Sequence, residues 1–78
     1  MRWMMLTPRQ LEAVRTSVGA DDARPNAVLL RRVQGLVRGD ELELTDAELN
    51  AVQAAARDYR GGFEKAFQAV LGAWARHG

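Results

Sequence analysis

The chain carries one histidine, His77, one serine, Ser17, and no cysteine. A serine nucleophile needs a neighbouring base, and no histidine lies near Ser17 in the sequence. His77 is penultimate, where chain ends usually fray. With no thiolates, a metal site would need oxygen ligands alone. The acidic run Asp40, Glu41, Glu43, Asp46 and Glu48 offers carboxylates, but it lacks the glycine-punctuated spacing of a calcium loop. Gly61-Gly62 follows a helical pattern rather than a strand, so it does not read as a phosphate cradle. These residues predict a non-enzyme with no cofactor and no metal.

Arginine supplies the most suggestive chemistry. Arg24, Arg31, Arg32 and Arg38 fall between Ala23 and Gly39 with no acidic residue among them. On a helical wheel Arg31 and Arg38 point away from the apolar stripe with Gln34 between them, and Arg32 flanks it. Such a face can follow a phosphate backbone. It equally suits a solvated surface whose arginines meet the acidic 40–48 run. No aromatic residues are interleaved for base stacking, and the solvated surface is the preferred reading.

The elements that would position these groups follow from periodicity. From Thr45 to His77, the residues Leu49, Val52, Ala56, Tyr59, Phe63, Phe67, Val70, Leu71 and Trp74 recur at helical spacing without loss of phase,. Thr45-Asp46-Ala47-Glu48 reads as a capping box that starts this helix. Gly61-Gly62 inside it should cost about 2 kcal/mol relative to alanines. Yet no Ser, Thr, Asp or Asn follows to cap a new helix, and the stripe crosses the pair in register. A single helix over about 46–76, continuous or kinked at the glycines, is therefore preferred to a break and a four-helix bundle. It would span about 46 Å, against about 30 Å for a compact globule of this length. That overhang predicts a homodimer covering Tyr59, Phe63, Phe67, Val70 and Trp74. The opposite face is mostly small, with Ala47, Ala51, Ala54, Gly61, Lys65, Ala69 and Gly72 along it, which suits either plain surface or close approach of another backbone.

Two short helices precede it. Thr7-Pro8-Arg9-Gln10 is a second capping box with proline at the first helical position, and a helix over about 8–18 follows, with Leu11, Val14 and Val18 inward. Another runs over about 25–38, burying Leu29, Leu30, Val33, Leu36 and Val37. Asp40-Glu41-Leu42-Glu43-Leu44 alternates with period two, an extended segment that tucks Leu42 and Leu44 inward. With no second strand pattern, no sheet is expected. Trp3 and Met5 are read as extensions of the core.

Leu6-Thr7-Pro8-Arg9-Gln10-Leu11-Glu12-Ala13-Val14 resembles the first helix of LuxR-type helix-turn-helix domains, and Asn26 corresponds to an asparagine that follows there. The interval from Gly19 to Pro25 is too long for that motif's tight turn, and no family is assigned. The 78 residues suit one domain with an ordinary globular balance, 47% hydrophobic and 27% charged, and a net charge of +1 too small to mark a nucleic-acid binder by itself,. Met1–Leu6 is too short for a signal-peptide core and no run is long enough to span a membrane, so a soluble, cytoplasmic protein is expected. The sequence predicts an all-α fold, a small helical bundle acting as a protein–protein interaction module, an adaptor, regulator or inhibitor. A homodimer with an unidentified protein partner leads this reading, and nucleic-acid binding through the arginine face is the alternative.

Overall fold

Two threonines start helices, and both capping boxes form. Thr7 Oγ1 accepts from the Gln10 amide at 3.1 Å while the Thr7 amide donates to Gln10 Oε1 at 2.9 Å. Thr45 and Glu48 repeat the exchange at 3.1 and 2.8 Å. Each box satisfies backbone donors that a helix start leaves without intrahelical partners. The computed structural model describes residues 1–58 and 60–77. Its elements in order are β1 (Arg2–Met5), α1 (Pro8–Val14), α2 (Pro25–Leu36), β2 (Glu41–Leu44), α3 (Asp46–Ala56) and α4 (Glu64–His77).

The expected all-α bundle is therefore corrected. β1 and β2 form a two-stranded antiparallel sheet in which Arg2 pairs with Leu44, Trp3 with Glu43, Met4 with Leu42 and Met5 with Glu41. The inward Leu42 and Leu44 are buried as their alternation predicts. Their partner strand has the opposite parity to the one expected. Met4 is fully buried, whereas Trp3 and Met5 stand on the outer face, Trp3 at 44% exposure. One residue of register decides which side chains face the core, and here it selects Met4.

The long third helix is the second correction. It ends at Ala56, and a new helix starts at Glu64. Asp58 Oδ1 accepts from the amides of Arg60 and Gly61, at 3.2 and 3.1 Å, folding the chain into a turn. Asn26 on α2 is buried and donates its side-chain amide to the Gly62 carbonyl at 3.3 Å. Gly61 lies so close to Asn26 and Asp58 that a Cβ there would clash with both side chains, and Gly62 takes φ +81°. These contacts reverse the chain, so that α4 packs back against α1, α3 and β1. The stripe keeps phase across the break because residues 57–63 amount to almost two helical turns.

The two shorter helices also end early. α1 stops at Val14 rather than 18 because Gln34 Nε2 donates to the carbonyls of Val14 and Thr16, both at 2.8 Å, and Thr16 Oγ1 donates to Ala13 O at 2.7 Å. α2 stops at Leu36 rather than 38, since Val37 is extended and Arg38 pairs with Glu41 across a tight turn.

All the inward faces meet in one core, with Phe67 and Val70 of α4 fully buried among Met4, Leu30, Val52 and others. The C-terminal turn closes over the first strand. Arg76 Nη2 donates to the Met5 carbonyl at 2.6 Å, and the His77 ring sits edge-on to Trp3 at 5.3 Å between centroids. Among the described residues no helix is long and apolar enough to cross a membrane. Replacing Phe67 by Ala removes the largest fully buried side chain and should cost about 3–5 kcal/mol. Urea denaturation followed by tryptophan fluorescence is expected to show that loss, and a smaller one for Phe63→Ala at its half-buried ring.

Candidate functional site

α2 and α3 run past one another in opposite directions. Asn26, near the start of α2, contacts the chain just beyond α3, while Arg32, further along α2, acts on Glu48 in the first turn of α3. The two helices do not close completely. Pro25, Asn26 and Leu29 from α2 and Ala51, Ala54 and Ala55 from α3 line an open groove of about 500 Å³, with Asp58 at one end. Its floor is apolar because α3 presents alanines there rather than larger side chains. Leu29, read from sequence as part of the α2 core stripe, is only half-buried and forms one wall. Val28 beside it is 50% exposed.

One charged residue, Asp58, lines this groove. Asp58 borders the first turn of α2, where the aligned peptide dipoles favour an anion, and no side chain caps that helix. In the first turn of α3, Glu48 has its carboxyl held below the usual range, chiefly by the backbone amide of Thr45, with the positive charge of Arg32 adding to the shift. The small-residue face of α3 was the sequence signal for this groove. Pro25 and Val28 carried no such signal, because their exposure depends on how the helices cross.

The residues expected to form a dimer interface are dispersed. Phe67 and Val70 are fully buried within a single chain. Trp74 is half-buried, with the Arg2 guanidinium 5.6 Å from its ring centroid while Arg2 Nε bonds Asp46 at 2.7 Å. Phe63 is half-buried, at φ +62°, with Arg24 5.4 Å from its ring. Tyr59 lies outside the described residues. The helical overhang that motivated the dimer is absent, because the reversal covers the stripe within the chain.

The four arginines also divide. Arg24 engages Asp22 through Nε and Nη2, at 3.1 and 2.8 Å. Arg31 holds the α1–α2 loop by donating to the carbonyls of Gly19 and Asp22 at 2.7 and 2.8 Å. Arg32 and Arg38 are exposed. Thus two of the four serve the loop of their own chain. Among the described residues no group of His, Asp or Glu side chains is arranged to hold a metal ion. No family model, curated protein or solved structure matches the chain.

The Asp22–Arg24 pair has a pH signature. Hydrogen bonds from the Arg24 side chain, then from its backbone amide, pull the Asp22 carboxyl from 3.8 down to about 2. Because its folded-state value is the lower one, the pair stabilises the fold above pH 3.8, and that contribution fades as pH falls towards 2,. Carboxyl NMR titration should place Asp22 near 2 in the native protein. In Arg24→Ala the midpoint should return towards the ordinary value, and the acid-side loss of stability should become shallower.

Proposed function

We propose that this chain is a non-catalytic protein-interaction module that seats an apolar helical segment of another protein in the groove between α2 and α3. The observation that carries the reading is the groove itself, with apolar walls at Pro25, Leu29, Ala51 and Ala54 left open to solvent. Amphipathic helices bind such grooves through an apolar face while their polar flanks meet the rim. Alanines along α3 let a partner backbone approach closely, and exposed Val28 extends the apolar rim. Asp58 at one end favours a basic residue on the partner there. A cytoplasmic setting belongs to the same proposal. The arginine face is not chosen, since Arg24 and Arg31 are engaged within the chain.

Ala51→Arg places a long cationic side chain in the groove at an exposed position, where stability should change by no more than about 0.5 kcal/mol. Immobilised wild-type and Ala51→Arg proteins, matched for thermal midpoint, should differ in what they retain from a cell extract. A partner held by the wild type should bind the variant at least about tenfold more weakly, equivalent to 1.4 kcal/mol. Equal retention by both proteins, or retention only of nucleic acid that is released by salt, would overturn the reading.

A further inference from the structure

The outer face of the β1–β2 sheet carries apolar surface that the core does not use. Antiparallel pairing turns Met4, Leu42 and Leu44 inward and leaves Trp3 and Met5 on the other face. Met1, one step before the strand, continues the same alternation. Among the described residues the exposed large hydrophobic side chains are Met1, Trp3, Met5 and Val28, so three of the four belong to this one row. Apolar residues exposed singly are ordinary, whereas a contiguous row marks an interaction site. Beside the row, β2 sets Glu43 across from Trp3 and Glu41 across from Met5, both exposed. Trp3, Glu41 and Glu43 share a recess of about 210 Å³ with half-buried Leu36 and exposed Arg38. The indole is already fixed there, since Trp3 Nε1 donates to Glu41 Oε1 at 3.1 Å and the His77 ring meets it edge-on.

Both edges of the sheet carry bonds of their own. Glu41 exchanges backbone hydrogen bonds with Arg38 at 2.8 and 2.9 Å, and the Met5 carbonyl accepts from Arg76 at 2.6 Å. An added strand would have to displace these contacts, which leaves the face itself for docking, and a helix is the element that covers a sheet face. We propose that this face is a second interaction surface that receives a basic amphipathic helix of a partner protein. Its apolar stripe lies on Met1, Trp3 and Met5, and its lysines or arginines lie over Glu43 and Glu41. Charge selects this occupant. The salt bridges among the described residues are Arg2–Asp46 and Asp22–Arg24, so the carboxylates of Glu41 and Glu43 have no cation within pairing distance. They repel an acidic helix or a phosphate backbone, whereas a cationic side chain gains a carboxylate and an exposed indole ring together. Arg38 pairs with Glu41 through the backbone, so Glu43, further along the strand, meets more of the partner's charge. From Met1 to Met5 the row spans about 13 Å, a little over two helical turns. The face shares no residue with the α2–α3 groove, and the two surfaces act independently.

The test titrates the whole chain with a model helical peptide that has leucines along one face and lysines beside them. Two control peptides carry glutamate in place of lysine, or serine in place of leucine. NMR shifts should concentrate at the Trp3 indole N–H and at the amides of Trp3, Met5 and Glu43. The affinity read by calorimetry should fall at least tenfold in Glu43→Lys, in Trp3→Ser and with either control peptide. Ala51→Arg, which blocks the groove, should bind as the wild type does. Loss of binding in Ala51→Arg with shifts confined to the groove overturns the inference and leaves the groove reading standing. Equal binding of the serine peptide would show charge attraction alone and overturn it, as would equal binding by Glu43→Lys or no binding at millimolar peptide. Phosphatidylserine vesicles should leave the Trp3 signal in place, and a shift there gives the face to lipid instead. Light scattering should give wild type and Trp3→Ser the same mass, and a dimer that Trp3→Ser dissolves gives the face to a second copy instead. If Trp3→Ser fails to fold, Glu43→Lys decides, because Glu43 is exposed and holds no ion pair among the described residues.

Discussion

Asn26 reaches from the second helix to the Gly62 carbonyl, and the rest of the fold depends on the reversal it helps to hold. The chain is short and has little apolar surface to spare. Phe67 and Val70 can be shielded from water within one molecule only if the last helix folds back over the first helix and the first strand. Asp58 shapes the turn, Gly61 leaves room for Asn26, and Gly62 supplies the backbone conformation that the path requires. Asn26 is itself buried, so its amide needs an acceptor there, and the carbonyl of the turn provides one. Side chain and backbone thus satisfy one another at the point where the chain changes direction.

That same constraint explains the small sheet. Once α4 lies across the molecule, the segment before α1 has α4 along its side, and it completes its hydrogen bonding by pairing with Glu41–Leu44. Met4 then shares the inner face with Leu42 and Leu44. Trp3 is left outside, where its indole N–H finds Glu41 at 3.1 Å. A lone pair of strands is marginal in water, and packing against a helix makes it stable. Here α4 is that helix, so one element covers the core and supports the sheet.

Local signals were legible in the sequence, and those that depend on distant partners were not. Thr7 with Gln10 and Thr45 with Glu48 are three residues apart, and both boxes form as read. The alternation of Leu42 and Leu44 also showed their inward direction. Arg2-Trp3-Met4-Met5 has three apolar residues in a row, so its parity is set only by a strand some forty positions away. The end of α1 is fixed by Gln34, and the break after Ala56 by Asn26, both from α2. Periodicity could not reveal that break, since an interval near two helical turns leaves the phase unchanged. Of the groove, the alanines of α3 were visible as a small-residue face. The half-exposure of Leu29 arises from a helix crossing that no local pattern encodes.

The clasp between Arg76 and the Met5 carbonyl, with His77 against Trp3, sets the last turn of α4 beside β1. Such a unit can be spliced into a surface loop of a larger protein without forcing the loop's two stems apart. It can also be closed into a ring by a short linker, or reopened elsewhere along its length, with the same neighbours around every core residue. Chain that runs on before β1 or beyond α4 leaves the fold from the same corner.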